Sequence, residues 1–353
     1  MAHDQDQKPK ATSSLLKGLR LERAQSSGRF VNGRFHNTQP AYPNFKGNPL
    51  PLMGEYIFGD NGRFPKSPLP LENPLSMWLN KPNSKLRLTW LGHSTVLMEM
   101  DGLRVLTDPV FGNRASPVSF AGPKRFHPPP VSVEQLPPID LVLVSHDHYD
   151  HLCYETVMKL AKKDIPIVTS LGVGARLEAW GIPASRITEL DWWEESVIGG
   201  GRLSVTATPA QHFSGRGLHD RNVTSWAGWV FKTADHKVFF SGDTGLTEEY
   251  LEIGRRLGPF DVIMLEIGAF HQLWGDIHLG PENALKATVM LGGGLLLPVH
   301  WSTFSLALHA WQEPAESLVQ LAPQHGIQLV TPRIGQVLEP TLDLPQSKWW
   351  RVA

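Results

Sequence analysis

The segment 145–152 holds the residues of this sequence that are best suited to chemistry. It reads Ser-His-Asp-His-Tyr-Asp-His-Leu and follows an apolar run, so it lies at the end of a predicted strand. Three imidazoles and two carboxylates within six residues are costly to hold together unless a cation balances them, and zinc, iron and manganese accept such ligands. On an extended backbone His146 and His148 point the same way, whereas Asp150 and His151 turn toward a neighbouring position. The segment therefore predicts ligands for two adjacent metal ions; a polar loop with accidental histidines is the alternative.

Four further polar residues follow apolar runs elsewhere in the chain. They are Asp108, His212, Asp243 and His300. Polar residues at strand ends along one edge of a sheet are the usual way in which α/β folds form active sites. A single histidine is more often structural, but five histidines and two aspartates in such positions make a consistent ligand set. We therefore expect these four residues to lie at the same site as the 145–152 segment.

Short apolar runs from residue 86 onward must form the elements that carry these residues. Strands are predicted over residues 86–91, 103–106, 141–144, 165–168, 203–207, 237–240, 262–265 and 295–299. Amphipathic segments predict helices over residues 154–163, 173–180, 247–257, 281–291 and 314–322. The alternation of the two element types indicates an α/β fold with sheets flanked by helices.

The first quarter of the chain has a different character. Residues 40–82 contain nine prolines, a density that forbids a regular helix or a central strand and predicts an extended segment over the core. We therefore divide the chain into a polar and proline-rich arm over residues 1–84 that packs on the core, a folded domain over residues 85–345 and a tail over residues 346–353.

The composition excludes several classes of protein. The 33 basic and 34 acidic residues nearly cancel, and no basic-aromatic stripe is present, so we expect no nucleic-acid partner. Cys153 is the single cysteine, which forbids an internal disulfide and fits a reducing compartment. The apolar runs are too short to cross a bilayer, and residues 1–10 lack the apolar part of a secretory signal. We expect a cytoplasmic protein, with peripheral membrane contact through the N-terminal arm as an open alternative.

The order of these motifs resembles the metallo-β-lactamase superfamily. The residues that correspond to its five-part pattern are Asp108, the cluster 146–151, His212, Asp243 and His300. The resemblance implies a four-layer αββα sandwich of the α/β class, with two divalent metal ions between the sheets. Zinc is the first expectation, and iron and manganese are the alternatives. The implied ligands are His146, His148 and His212 for one ion, Asp150, His151 and His300 for the other, and Asp243 for both.

A narrower resemblance is to the family of N-acyl-phosphatidylethanolamine-hydrolysing phospholipases D. The similar segments include 90–96 (Trp-Leu-Gly-His-Ser-Thr-Val), 106–109 (Leu-Thr-Asp-Pro), 122–126 (Gly-Pro-Lys-Arg-Phe), 190–195 (Leu-Asp-Trp-Trp-Glu-Glu) and 300–301 (His-Trp). This resemblance implies hydrolysis of a lipid phosphodiester by a metal-bound hydroxide, without a nucleophilic side chain. The loop 266–274 departs from that family and a lactonase branch shares some of its segments, so a lactone or other carboxyl ester is the alternative substrate. A non-catalytic binding module that metal stabilises is a third hypothesis.

The resemblance also suggests roles within the reaction. Asp150 and Asp243 would act in catalysis through the metals, and His93 and Asp108 would support the ligands from behind. His278 precedes a predicted helix, where it would contact a phosphate oxygen or protonate the leaving group. A structural role at the helix entry is the alternative for His278.

The same resemblance implies a class of substrate and an oligomeric state. Lys124 and Arg125 are expected to meet an anionic headgroup, against the alternative of a solvated loop. The implied partners are a small-molecule or lipid phosphodiester and a second copy of the chain in a homodimer.

Overall fold

The computed structural model describes residues 15–40, 54, 59, 61–271, 276–340, 344 and 347–352. Its strands are β1 (Phe30–Val31), β2 (Arg34–Phe35), β3 (Leu86–Gly92), β4 (Thr95–Met100), β5 (Leu103–Thr107), β6 (Leu141–Val144), β7 (Ile167–Ser170), β8 (Ile187–Leu190), β9 (Glu195–Ile198), β10 (Leu203–Thr208), β11 (Gly228–Lys232), β12 (Lys237–Phe240), β13 (Val262–Glu266), β14 (Leu295–Val299) and β15 (Val337–Leu338). Its α-helices are α1 (Gly18–Gln25), α2 (Leu75–Trp78), α3 (Tyr154–Leu160), α4 (Val173–Ala179), α5 (Glu249–Leu257), α6 (Gly280–Met290) and α7 (Glu313–Leu321). Single 3₁₀ turns lie at Val133–Gln135, Ala184–Arg186, Ala322–His325 and Trp349–Val352.

Most of these strands belong to two large sheets. In the part of the chain that the structure describes, one sheet has the order β14-β13-β12-β11-β10-β9, the other has the order β15-β3-β4-β5-β6-β7-β8, and β1 and β2 form a separate hairpin. The strands β5 to β8 pair in parallel, as do β12 to β14. Parallel neighbours need a crossover, and helices α3 and α4 supply it in one sheet and α5 and α6 in the other.

Side-chain alternation in the seven-stranded sheet shows how the layers pack. Leu141 and Leu143 of β6 belong to the large core that also contains side chains of the other sheet. The intervening Val142 and Val144 belong to a second core together with apolar residues of α3 and α4. Because successive side chains of a strand point to opposite faces, one face of this sheet meets the other sheet and the opposite face meets helices.

The six-stranded sheet is covered in the same manner. Every residue of β13 is buried, as expected for a strand with both faces covered. Tyr250 and Ile253 of α5, Leu285 of α6 and Leu318 of α7 pack into the core of this sheet. The resulting order of helices, sheet, sheet and helices confirms the predicted four-layer αββα sandwich.

The parallel strands end at one common edge of the sandwich. Strand β5 is followed by Asp108, β6 by the segment 145–152, β12 by Asp243 and β14 by His300. The hydrogen bond from the Asp108 backbone N–H to the Leu143 carbonyl (2.9 Å) continues the ladder to this edge. The fold therefore gathers polar residues that are far apart in sequence.

The predicted arm and domain boundaries are only partly covered by the described residues. Of the proline-rich region, residues 41–53, 55–58 and 60 lie outside them, so the arm as a whole remains a prediction. Within residues 61–84, Leu69 is buried in the core between the sheets and Leu71 forms a β-bridge with Ile334. None of the helices in the described ranges is long and apolar enough to cross a membrane.

Candidate metal centre

The first group of candidate ligands combines the histidines after β6 with residues from two other strand ends. His146 Nε2 lies 2.8 Å from His148 Nδ1, which lies 3.3 Å from His212 Nε2. The Oδ2 atom of Asp243 is 3.9 Å from His146 Nε2 and 3.7 Å from His212 Nε2. These four donor atoms all lie within 4.8 Å of one another.

The second group lies directly beside the first. Asp150 Oδ2 is 3.4 Å from His151 Nε2 and 3.3 Å from His300 Nε2. Asp243 reaches this group too, because its Oδ1 is 3.1 Å from His151 Nε2 and its Oδ2 is 3.2 Å from His300 Nε2. The structure thus brings together all seven predicted ligands in the two predicted groups, with Asp243 between them.

The donor atoms fit metal ions by distance and by chemistry. Four ligands at about 2.1 Å around a zinc ion are about 3.4 Å apart, close to the separations in both groups. His151 Nε2 and Asp243 Oδ1 are buried and lie 3.1 Å apart, but neither makes a hydrogen bond of good geometry within the described structure. Buried polar atoms whose hydrogen bonds are unmade are costly, and a divalent cation between them would satisfy both.

Charge balance in the site points to cation binding as well. Burial lowers the pKa of His146 and His212 well below the usual value, so both rings are neutral, as a metal ligand requires. Burial also opposes the charge on His300, but Asp243 and Asp150 outweigh it and raise the pKa of His300 to about 10. The carboxylates therefore hold protons on neighbouring imidazoles, and a bound cation would replace those protons.

Hydrogen bonds from behind fix the ligand rings. His151 Nδ1 lies 2.7 Å from Asp108 Oδ2, which leaves Nε2 of the same ring facing the site. The carboxylate of Asp108 also accepts bonds from the Ser145 backbone N–H (2.7 Å) and hydroxyl (2.6 Å). An orienting role for Asp108 requires contacts of this kind. Ser145 serves in them as a hydrogen-bond donor.

His93 approaches the second group from the turn between β3 and β4. Its Nε2 lies 2.9 Å from Asp150 Oδ2. Burial and His300 lower the pKa of His93 to about 3, so the ring is neutral and donates to the carboxylate. This geometry suits the predicted supporting role of His93, which stays a prediction.

Several residues of the site have unusual backbone conformations. Asp108, His93 and His300 all have positive φ values, at +33°, +53° and +62°. Such conformations cost about 1–3 kcal/mol each for residues other than glycine and concentrate at functional sites. Gly242, at φ +57°, allows the chain to turn beside Ser145 just before Asp243.

His278 lies beside the ligand groups, within reach of Asp243 and His300. Its ring centroid is 5.1 Å from that of His212 and 5.4 Å from that of His300. Its Nδ1 is 3.0 Å from Glu266 Oε1. The opposing effect of burial is outweighed by Glu266, which raises the pKa of His278.

Glu266 is a site residue to which the sequence analysis gave no role. It ends β13 and is completely buried, and its Oε1 also accepts the backbone N–H groups of Thr244 (3.2 Å) and Leu279 (3.0 Å). Its Oε2 lies 3.9 Å from His300 Nδ1. The position of this carboxylate directly after the predicted apolar strand 262–265 was the signal that could have found it.

Glu266→Gln is expected to weaken metal binding by about 10–100-fold, the usual effect of losing a residue that orients a ligand. The amide is the same size but carries no charge to hold His278 and His300. Titration of the apo-protein with zinc against a chromogenic chelator measures the effect, and Glu282→Gln on the exposed side of α6 is the control. Equal affinities for both variants would remove Glu266 from the site.

Lys124 and Arg125 differ in their surroundings. The Arg125 side chain is buried, and it donates to the carbonyl groups of Val110 (2.7 Å) and His127 (3.2 Å). Lys124 is exposed. The observed contacts of Arg125 therefore brace its own loop, and headgroup binding by either residue stays a prediction.

A network behind the 145–152 segment holds its backbone in place. Asp147 points away from the ligands and accepts bonds from Arg176 Nε (2.7 Å) and the Gly215 N–H (2.8 Å). Arg216 donates to the carbonyls of Asp147 (2.7 Å) and Leu152 (2.8 Å), near both ends of the segment. The loop after β10 therefore stabilises the backbone of the loop after β6.

Asp147→Ala is expected to lower the free energy of unfolding by about 2 kcal/mol, since it leaves Arg176 Nε and the Gly215 N–H without their acceptor while Asp220 still pairs with the Arg176 guanidinium. Urea unfolding followed by tryptophan fluorescence measures this loss. The control is Asp235→Ala, which breaks an exposed ion pair with Lys85 and should cost below about 1 kcal/mol. A loss for Asp147→Ala as small as that of the control would show that this network does not stabilise the fold.

Comparison with known proteins agrees with this architecture. The sequence model of the β-lactamase superfamily domain matches residues 103–301. An uncharacterized protein of Mycobacterium tuberculosis is 42% identical over 335 residues, which cover 93% of this chain and 89% of that protein. The N-acyl-phosphatidylethanolamine-hydrolyzing phospholipase D 1 of Caenorhabditis elegans is 38% identical over 249 residues, 67% of this chain and 70% of that enzyme. The structure of Igni18, a metallo hydrolase from Ignicoccus hospitalis, is similar with a TM-score of 0.56 at 23% identity, covering 72% of this chain and 97% of that one.

An αββα sandwich with clustered histidines and aspartates at one sheet edge defines a class of metal-dependent hydrolases. This chain belongs to the β-lactamase superfamily. It is a metal-dependent hydrolase of that superfamily, with candidate ligand groups formed by its own residues.

Proposed function

We propose that the protein is a phospholipase D-type enzyme that hydrolyses the phosphodiester bond of N-acyl phosphatidylethanolamine-like lipids. The observation that carries the proposal is the 38% identity to the Caenorhabditis elegans enzyme named for this reaction. The two adjoining donor groups support it, because two cations side by side suit in-line displacement at phosphorus. The products would be phosphatidic acid and an N-acylethanolamine.

The ligand groups assign the residues that would hold the ions. His146, His148 and His212 would hold one divalent cation, Asp150, His151 and His300 a second, and Asp243 both, with zinc as the first expectation. Bound cations supply Lewis acidity and lower the pKa of water. Asp108 and His93 would keep His151 and Asp150 in their orientations through the hydrogen bonds described above.

His278 is the side chain proposed for proton transfer. It lies beside both ligand groups, and Glu266 holds its Nδ1 and favours its protonated form. Water adds to phosphorus, and the bond from phosphorus to the alkoxide oxygen of the N-acylethanolamine breaks. Protonated His278 gives that oxygen a proton, and the proton that the attacking water loses restores His278 to its protonated form. Peripheral membrane contact, headgroup binding by Lys124 and Arg125, a homodimer and a cytoplasmic location remain further proposals.

The test is hydrolysis of vesicles that contain N-acyl phosphatidylethanolamine in water enriched in ¹⁸O, with products identified by mass spectrometry. We expect phosphatidic acid that carries one ¹⁸O atom and unlabelled N-acylethanolamine, since attack at phosphorus places the water oxygen on the phosphate. The Asp243→Ala protein is the control for contaminating lipases. A panel of lactones and p-nitrophenyl esters is run on the same sample. Lactone hydrolysis without phosphatidic acid would overturn the proposal in favour of a carboxyl-ester hydrolase.

A further inference from the structure

We propose that Asn37, in the N-terminal segment 15–40, is a positioning residue for His212, so that this segment is part of the metal site. The segment lies outside the residues 103–301 that match the family's sequence model. The inference rests on the proposed role of His212 as a metal ligand.

The side chain of Asn37 pairs with both backbone groups of His212. Its Nδ2 donates to the His212 carbonyl (2.9 Å), and its Oδ1 accepts the His212 N–H (3.1 Å). The same Oδ1 accepts a bond from Trp226 Nε1 (3.0 Å). Two donors facing Oδ1 and one carbonyl facing Nδ2 fix the orientation of the amide, because the flipped amide would place its NH₂ against two N–H groups.

Asn37 is itself held firmly against the sandwich. Two residues before it, Phe35 is fully buried, and its N–H donates to the Asn222 carbonyl (2.7 Å). Arg29, at the start of the same hairpin, donates to Asp191 (2.7 Å) and lies 3.5 Å from the ring centroid of Trp192. The N-terminal segment therefore presents Asn37 to the loop after β10 from a fixed position.

Asn37 and Ile277 together determine where the His212 ring points. The Ile277 carbonyl lies 2.9 Å from His212 Nδ1 and fixes the ring from one side, while Asn37 fixes the backbone from the other. His212 Nε2 then faces His148 and Asp243. Partners of this kind set the tautomer and direction of a ligand, and their loss typically weakens metal binding by about 10–100-fold.

The inference predicts a loss of metal affinity in one ligand group. Asn37→Ala removes all three bonds and is expected to weaken the affinity of one of the two ions by about 10–100-fold. Asn37→Asp keeps the two acceptor contacts but sets a carboxylate oxygen, which cannot donate, against the His212 carbonyl, so its zinc affinity should also fall. Gln39→Ala, an exposed position in the same segment, should leave the affinity unchanged.

The experiment is a zinc titration of the full-length apo-protein against a chromogenic chelator, with circular dichroism and thermal unfolding on the same samples. A weakened ion in both Asn37→Ala and Asn37→Asp and an unchanged affinity in Gln39→Ala would support the inference. Unchanged zinc affinity with a lower unfolding temperature would overturn it, because Asn37 would then act on folding alone. If Asn37→Ala does not fold, an Asn37→Asp protein with wild-type affinity overturns it equally.

His212→Ala separates this inference from the metal assignment. If His212→Ala loses zinc and Asn37→Ala does not, the positioning role fails and the ligand role stands. If His212→Ala binds zinc as the wild type does, the ligand role itself fails, and with it the inference.

Discussion

Asp243→Ala is expected to lower kcat/KM for a phosphodiester by at least about 10³-fold, more than the 10–100-fold typical of residues that only orient a ligand. The reason is that Asp243 serves both donor groups, with Oδ1 beside His151 and Oδ2 beside His300, His146 and His212. No other carboxylate in the described residues occupies this position between the groups. The same variant should retain at most one ion per chain.

Steady-state hydrolysis of bis-p-nitrophenyl phosphate, with metal content determined on the same samples, measures this effect. The matched control is Asp164→Ala, since the Asp164 side chain is almost fully exposed (95%). Wild-type turnover and metal content in a folded Asp243→Ala protein would show that the two groups do not share this ligand.

Metal removal is the second change with a large expected effect. After treatment with a chelator and desalting, turnover should fall to the uncatalysed rate, and it should return when zinc, iron or manganese is added. The protein should also unfold at a lower temperature, because an ion present at 1,000 times its dissociation constant stabilises the folded state by about 4 kcal/mol. Without the ions, the negative charges of Asp150 and Asp243 are balanced only by the protonated rings of His151 and His300.

Chelator already saturated with calcium is the control for direct effects of the chelator on the enzyme. Turnover that persists in a sample shown to be metal-free would contradict a metal-dependent mechanism. Metal that stabilises the fold without any turnover across phosphodiesters and esters would instead favour the non-catalytic binding module.

The sequence predicted those elements whose pattern is local. The apolar runs at β6, β13 and β14 are strands in which every residue is buried, and their residue types predicted them. Strand β4 was not predicted, although all of its residues are buried. Its Glu99 interrupts the apolar pattern, and only the folded structure supplies the ion pairs with Arg87 and Arg104 that allow this charge to be buried.

The residues of the site also divide into those that a local pattern predicts and those that only tertiary packing brings into the site. The ligands could be predicted because each follows an apolar run. Since the strands before them end at one edge of the sandwich, the ligands also come together there. Asn37 received no role because its contacts depend on packing: 175 positions separate Asn37 from His212, and no spacing rule links them. The burial of Arg125 depends in the same way on carbonyl groups that only the folded loop presents.

The most direct test of the central claim is elemental analysis of the purified protein after expression in metal-replete medium. Two adjoining donor groups that share Asp243 predict about two transition-metal ions per chain in the wild type and at most one in Asp243→Ala. A wild-type protein that is folded and contains no metal under these conditions would contradict the assignment of the site.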